Sequence, residues 1–189
     1  MGGASGVDTE AAAAFARMSN LVVLSFPRIE MVQHSSGERK KKPVGLQRGW
    51  QNVTQSRLRA GDTAFQVLTG ERSGVTVLDF GDRKVYGDFA ARFPMIAGQP
   101  TVETRKGFHV YFTYNPEATM HGLTKIDVQN DGQCVYYPPT KYIMDGATVE
   151  YKWVRKGPLA PLPAGLVEHL WSLAPSRART TRTTNPTNV

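Results

Sequence analysis

Four places along the chain carry residue types that can act together. Asp79 ends the apolar run Val75-Thr76-Val77-Leu78. A carboxylate where a buried strand emerges suits a metal or catalytic ligand, and equally a solubilised strand end. Asp82 follows and is placed to cap a helix that starts near Lys84. His109 alternates with Tyr111 in Phe108-His109-Val110-Tyr111-Phe112, so both side chains share one strand face. The other face is apolar and core-like. Asp127 lies inside Lys125-Ile126-Asp127-Val128, again an acid in a short apolar strand. Thr104, Arg105 and Lys106 precede His109 and offer a hydroxyl, two cations and backbone able to hold phosphate. Acids on two strands, a histidine on a third and a basic turn suit a divalent metal and a triphosphate. Hard cations such as Mg²⁺ take oxygen ligands, often a few carboxylates plus substrate phosphates.

Other site patterns are missing from the sequence. It has no P-loop, no HExxH and no CxxC. His34 and His121 fall in predicted loops and His169 on the last helix, so none is assigned a role. The single cysteine, Cys134, excludes both an internal disulfide and a cysteine-based zinc finger.

These residues need strands to hold them, and the sequence supplies candidates. Leu21 to Phe26, Ile29 to Gln33, Thr63 to Leu68 and Val75 to Leu78 read as strands. Thr101 to Thr104 and Phe108 to Tyr114 flank Arg105-Lys106-Gly107 as a hairpin. Lys125 to Val128 and Gln133 to Tyr137 flank Asn130-Asp131-Gly132 as another. Asp145-Gly146 turns into a strand from Thr148 to Val154. Helices are expected from Glu10 to Met18, Asn52 to Arg59, Lys84 to Phe93 and Ala164 to Ala174. Residues 34–49 read as a basic loop. Strands outnumber helices and hairpins dominate the middle, so the class is α+β with a mostly antiparallel sheet.

The chain has 189 residues and a formal net charge of +7, with a pI near 9.7. At 40% hydrophobic and 21% charged residues it is globular and long enough for one real core. It has no run of apolar residues fit to span a membrane and no secretory signal, so a soluble, intracellular protein is expected. The charge is local. Glu38 to Arg48, through Arg39, Lys40, Lys41 and Lys42, carries +4, and residues 176–189 carry +3. The tail reads as a solubilising segment. The first stretch leads into Gly49-Trp50, and a basic loop ending in an aromatic suits a phosphate backbone.

The ordered set resembles the primase-polymerase domain of the archaeo-eukaryotic primase superfamily, found in plasmid, phage and large DNA-virus replication proteins. The similar features are Lys42-Pro43 with Gly49-Trp50, then Thr69-Gly70 with Ser73-Gly74-Val75-Thr76-Val77-Leu78-Asp79. Thr104-Arg105-Lys106-Gly107-Phe108-His109 and Ile126-Asp127-Val128 follow, then Tyr137-Pro138-Pro139-Thr140, Gly146 and Tyr151-Lys152-Trp153. The resemblance spans about residues 40–154. It implies an RRM-like, mostly antiparallel catalytic sheet with an additional N-terminal α/β unit. It implies template-directed nucleotidyl transfer with two divalent metals, Mg²⁺ or Mn²⁺, about 3.5–4 Å apart. Asp79, Asp127 and His109 would be catalytic, with Asp79, Asp82 and Asp127 as metal candidates. His109, Thr104, Arg105 and Lys106 would meet the nucleotide. Lys40, Lys41, Lys42, Arg48 and Trp50 would meet nucleic acid. The partners implied are a single-stranded DNA template, NTP or dNTP, and a replicative helicase, since the chain carries no helicase motor.

One departure matters. The family's first motif has acids at alternate positions, and here the second position is Gly81. Either a bulge at Phe80-Gly81 returns Asp82 to the Asp79 face, or the site has lost a ligand. The alternative function is then an inactive primase-like domain that binds single strands or nucleotide. A blander reading is a basic structural domain of a replication assembly. The expected organisation is a flexible segment 1–7, a catalytic domain 8–157, a Pro-rich linker and helix 158–174, and a disordered basic tail 175–189.

Overall fold

The alternation Val75, Val77, Asp79 against Thr76, Leu78, Phe80 divides the molecule into two cores. In the computed structural model, which describes residues 10, 12–13, 16–17 and 20–175, these residues form the centre of a sheet. The strands, in chain order, are β1 (Val23–Phe26), β2 (Arg28–Gln33), β3 (Arg39–Val44), β4 (Ala64–Leu68) and β5 (Val75–Phe80). After helix α1 (Arg83–Arg92) come β6 (Thr101–Glu103), β7 (Phe108–Thr113), β8 (Ile126–Gln129) and β9 (Cys134–Tyr137). Then follow β10 (Lys141–Met144), β11 (Ala147–Glu150), β12 (Lys152–Arg155) and helix α2 (Ala164–Leu173).

The architecture is α+β, with strand pairs that are all antiparallel. A five-stranded sheet has the order β12-β6-β7-β5-β8 and a three-stranded sheet the order β1-β4-β9. The pairs β2-β3 and β10-β11 are separate hairpins. Val75, Val77, Val102 and Tyr111 join Phe65, Val67, Val135 and Tyr137 in a core between the two sheets. On the other face, Leu78, Phe80, Val110, Phe112, Ile126 and Val128 pack with Leu166, Val167 and Leu170 of α2. Period-two alternation therefore leaves the Asp79 face to the N-terminal unit and the opposite face to the helices.

The expected strand from Thr148 to Val154 breaks at Tyr151 into β11, paired with β10, and β12, paired with β6, and three other expectations about elements change. Residues 34–49 are not a loop: β3 pairs with β2 from Arg28–Val44 to Gln33–Arg39. Lysines and a proline hid a strand that stays exposed along most of its length. Asn52 to Arg59 is not a helix, because its backbone bonds to β1 instead. Ser25 N–H donates to Arg57 O and Arg57 N–H to Val23 O, both at 2.9 Å. The third is the expected hairpin around Asp131-Gly132. Its two strands do not pair with each other. β8 pairs with β5 and β9 with β4, so the turn carries the chain from one sheet to the other. Asn130 anchors that crossing, its amide donating to the carbonyls of Asn115 and Ala118.

The first expected helix is helical at Glu10, Ala12, Ala13, Ala16 and Arg17, while Met18 lies outside the described residues. Segment 1–7 and the tail after Pro175 also lie outside them. Among the described residues no helix is long and apolar enough to cross a membrane.

The turn before β7 packs directly on the end of β5. A Cβ on Gly107 would sit 1.9 Å from the Phe80 carbonyl oxygen and 3.0 Å from Asp82 N. Gly107→Ala should therefore force the two segments apart and destabilise the fold by about 1–3 kcal/mol. A urea midpoint unchanged from wild type would show that the turn yields freely.

Candidate active site

Register, not sequence proximity, assembles the central residues. Asp79 of β5 is directly opposite His109 of β7 on one side and Asp127 of β8 on the other. Partners opposite each other in an antiparallel pair share a face. The three side chains therefore form one row across three strands. His109 Nε2 lies 3.5 Å from Asp79 Oδ2. The ring is almost fully buried, and its Nδ1 has no hydrogen-bond partner among the described residues.

The two carboxylates differ. Burial pushes the Asp79 pKa up, but His109 and Lys41 outweigh it, and the net shift is down. Burial and the Asp79 charge push Asp127 up, with His121 opposing them. Asp127 thus ionises against a like charge held in register beside it. Oxygen donors of this kind fit a hard divalent cation. Asp79 and Asp127 are the residues that would hold it. Among the described residues no cluster of three or more histidine, cysteine or acidic side chains is arranged for a metal.

On the His109 side of the row a cleft of about 370 Å³ opens. Asp79, Gly81 and His109 line it from the sheet, and Thr104, Arg105 and Lys106 from the turn. That turn is braced internally: Gly107 N–H donates to Thr104 Oγ1 at 3.1 Å, and Thr104 N–H to Gly107 O at 2.9 Å. The opposite wall is the β2-β3 hairpin with Met31, Arg39, Lys40 and Lys41. Lys41 Nζ donates to Tyr151 Oη at 2.5 Å and lies 4.6 Å from the Tyr136 ring centroid. The Tyr151 and Tyr142 centroids are 5.3 and 5.8 Å away. The Lys41 residue as a whole keeps solvent exposure, whereas its ammonium end is enclosed by rings. Desolvation lowers its pKa, Asp79 opposes this, and Arg105 and Lys106 add to it.

Strand alternation splits the basic run. Lys41 shares a face with Arg39, whereas Lys40 and Lys42 point to the other. The sequence signals the charge of this segment but not that one lysine turns inward. It also misses Tyr136, Tyr142 and Tyr151, which come from three different segments and meet only in the folded chain.

Asp82 is placed elsewhere. Its Oδ1 caps α1, accepting from Lys84 N–H at 2.9 Å and Val85 N–H at 3.2 Å. Its Oδ2 accepts from Lys125 Nζ at 2.7 Å. Lys125 and then the cap bonds lower its pKa. β5 pairs regularly through Phe80 on both sides, so no bulge swings Asp82 into the row. Gly81 instead occupies the position two residues beyond Asp79, on the cleft side. A Cβ there would meet only Lys125 O, at 3.7 Å.

Arg48 and Trp50 are not gathered with this cleft. Arg48 is exposed in the turn after β3. Trp50 packs beside Val22, Leu24, Val53 and Leu68 and borders a separate cleft of about 410 Å³ with Thr69, Arg72 and Asp131.

The geometry has a parallel in one family comparison. The model for the N-terminal domain of bifunctional DNA primase/polymerases (Prim-Pol) matches residues 8–165. Comparison with curated proteins gives no match. The matched span contains both sheets, the acidic row and the basic walls of the cleft. The chain belongs to the Prim-Pol family, the N-terminal domains of bifunctional DNA primase/polymerases.

Proposed function

We propose that this domain carries out template-directed nucleotidyl transfer on single-stranded nucleic acid, using Asp79, Asp127 and His109. The observation that carries the reading is the His109–Asp79–Asp127 row, with a basic cleft along one flank. In the reaction a primer 3′-oxygen forms a bond to the α-phosphorus of a nucleoside triphosphate. The bond from that phosphorus to the bridging oxygen breaks, and pyrophosphate leaves. Asp79 and Asp127 would hold Mg²⁺ or Mn²⁺, which would supply charge stabilisation to the transfer. His109 would hold Asp79 through Nε2 and the phosphate chain through Nδ1, both nitrogens acting as donors when phosphate is bound. Thr104, Arg105 and Lys106 hold the same chain with charge and hydrogen bonds.

Gly81 limits this machinery. Two carboxylates face the site, and Asp82 is engaged as a helix cap and an ion pair. These contacts support the lost-ligand reading over compensation by Asp82. The second reading is therefore a domain that binds nucleotide or single strands with little turnover, and Gly81 is the observation in its favour.

Primer extension on a single-stranded template, with Mg²⁺ or Mn²⁺, separates the two. Asp79→Asn and Asp127→Asn should each lower the rate by about 10²-fold or more. Gly81→Asp should raise the wild-type rate, by about tenfold if one added carboxylate stabilises the metal-bound state by ~1.4 kcal/mol. Nucleotide and strand binding with no extension by either wild type or Gly81→Asp would establish the binding reading instead.

The same pair makes a stability prediction of opposite sign. The Asp127 pKa is raised, so its ionised form is disfavoured in the fold, and that penalty exists where it is charged. Asp127→Asn without metal should melt at or above the wild-type temperature at pH 7. The difference should shrink as pH falls and wild-type Asp127 takes up its proton. A clear loss of melting temperature at pH 7 would contradict the repulsion.

A further inference from the structure

The hairpin lysine is held in a way that a solvated strand contact would not need. Lys40 pairs with Glu38 at 3.8 Å, as an exposed lysine commonly does. Lys41 turns to the other face, and its hydrogen-bond partner is a neutral phenol. Three tyrosine rings surround the ammonium. Ring faces attract a cation through their quadrupole but carry no formal charge, and Asp79, which lines the same cleft, is an acid that acts on the ammonium. Arg105 and Lys106 line the facing wall of the cleft. Lys41, Arg105 and Lys106, with Arg39 and Lys40 beside them, thus line a space of about 370 Å³ that opens beside Asp79. A space of that size suits one small molecule rather than a length of strand.

We propose that Lys41 contacts the terminal phosphates of the incoming nucleotide, not the template strand, and that Tyr151 is the positioning residue that aims it. The proposal rests on the nucleotidyl-transfer reading. Tyr151 is suited to the role by its two contacts. Its hydroxyl accepts from Lys41, and its ring lies 5.7 Å from the His109 ring at an interplanar angle of 38°. It is almost fully buried, and its backbone N–H donates to Thr140 O at 2.9 Å. One fixed side chain therefore sets the separation between the hairpin cation and the sheet histidine. The phosphates nearest the row would meet His109, and those farther out Lys41 with Arg105 and Lys106. Lys40, which borders the cleft but is paired with Glu38, and Lys42 remain for the strand.

Calorimetric titration of the full chain in Mg²⁺ buffer with dATP, dAMP and a single-stranded oligonucleotide tests this. Lys41→Gln should weaken dATP about tenfold, the scale of one charge-assisted hydrogen bond. Binding of dAMP and of the oligonucleotide should stay within about twofold, since neither carries the terminal phosphates. Lys41→Arg should restore dATP binding to within about threefold by keeping a cation among the rings. Tyr151→Phe keeps the ring and removes the hydroxyl, so it should weaken dATP by about threefold with dAMP unchanged. A purely structural role for Tyr151 would affect both nucleotides alike. If Lys41→Gln leaves dATP binding intact, or weakens the oligonucleotide as much as dATP, the proposal is overturned while the functional reading stands. If the wild-type chain binds neither dATP nor the oligonucleotide, both fall together.

Discussion

Strand register is the constraint on which the site depends. Asp79 lies two residues from Val77 on the same face, and β7 and β8 both pair with β5 so that His109 and Asp127 fall opposite it. A slip of one residue in either ladder would send His109 or Asp127 to the helix-packed face. The apolar residues forbid such a slip. Leu78, Phe80, Val110, Phe112, Ile126 and Val128 are all buried on that opposite face and would have to leave it. Hydrophobic burial on one face thus sets the positions of polar groups on the other.

The resulting arrangement is electrostatically uneven. Asp127 stands beside Asp79, and desolvation and the like charge both raise its pKa. Lys41, Arg105 and Lys106 line the cleft that Asp79 borders, and Arg105 and Lys106 disfavour the Lys41 charge. Each group of like charges costs stability in the free protein. Each cost is relieved by a ligand of the opposite sign, a cation for the acids and an anion for the bases. On the proposed function, a nucleoside triphosphate with a divalent ion would supply both, and the site would trade folded-state stability for binding, as functional sites with perturbed groups generally do.

Gly81 and Asp82 show how one residue divides binding from structure. Asp82 holds the start of α1 and pairs with Lys125, so its carboxylate stabilises the fold next to the site. Gly81 donates its N–H to Lys125 O at 2.9 Å and adds no carboxylate of its own to the cleft beside Asp79. The same lysine therefore joins β8 to both residues, through backbone at one and side chain at the other.

Much of the site was legible in the sequence because it obeys short-range rules. An apolar run marked β5, and alternation in β7 placed His109 and Tyr111 on one face. Helix capping by Asp82 followed from its distance to Lys84. The Asp79, His109 and Asp127 motifs could be found from residue type and local pattern alone, and they pointed to the family. The β2-β3 strand pairing was obscured by charge, since Arg39 to Lys42 carry no apolar periodicity. The crossing at Asp131-Gly132 was obscured by a turn signal that specifies local bend, not which strands pair afterwards. The sequence by itself determined the residue types, their alternation and the glycine two positions beyond Asp79. The tertiary structure alone decided that Asp82 stays outside the row, that Trp50 borders a different cleft, and that Lys41 meets three tyrosines. Those outcomes depend on pairings between residues tens of positions apart, and local pattern carries no information about which distant strands will meet.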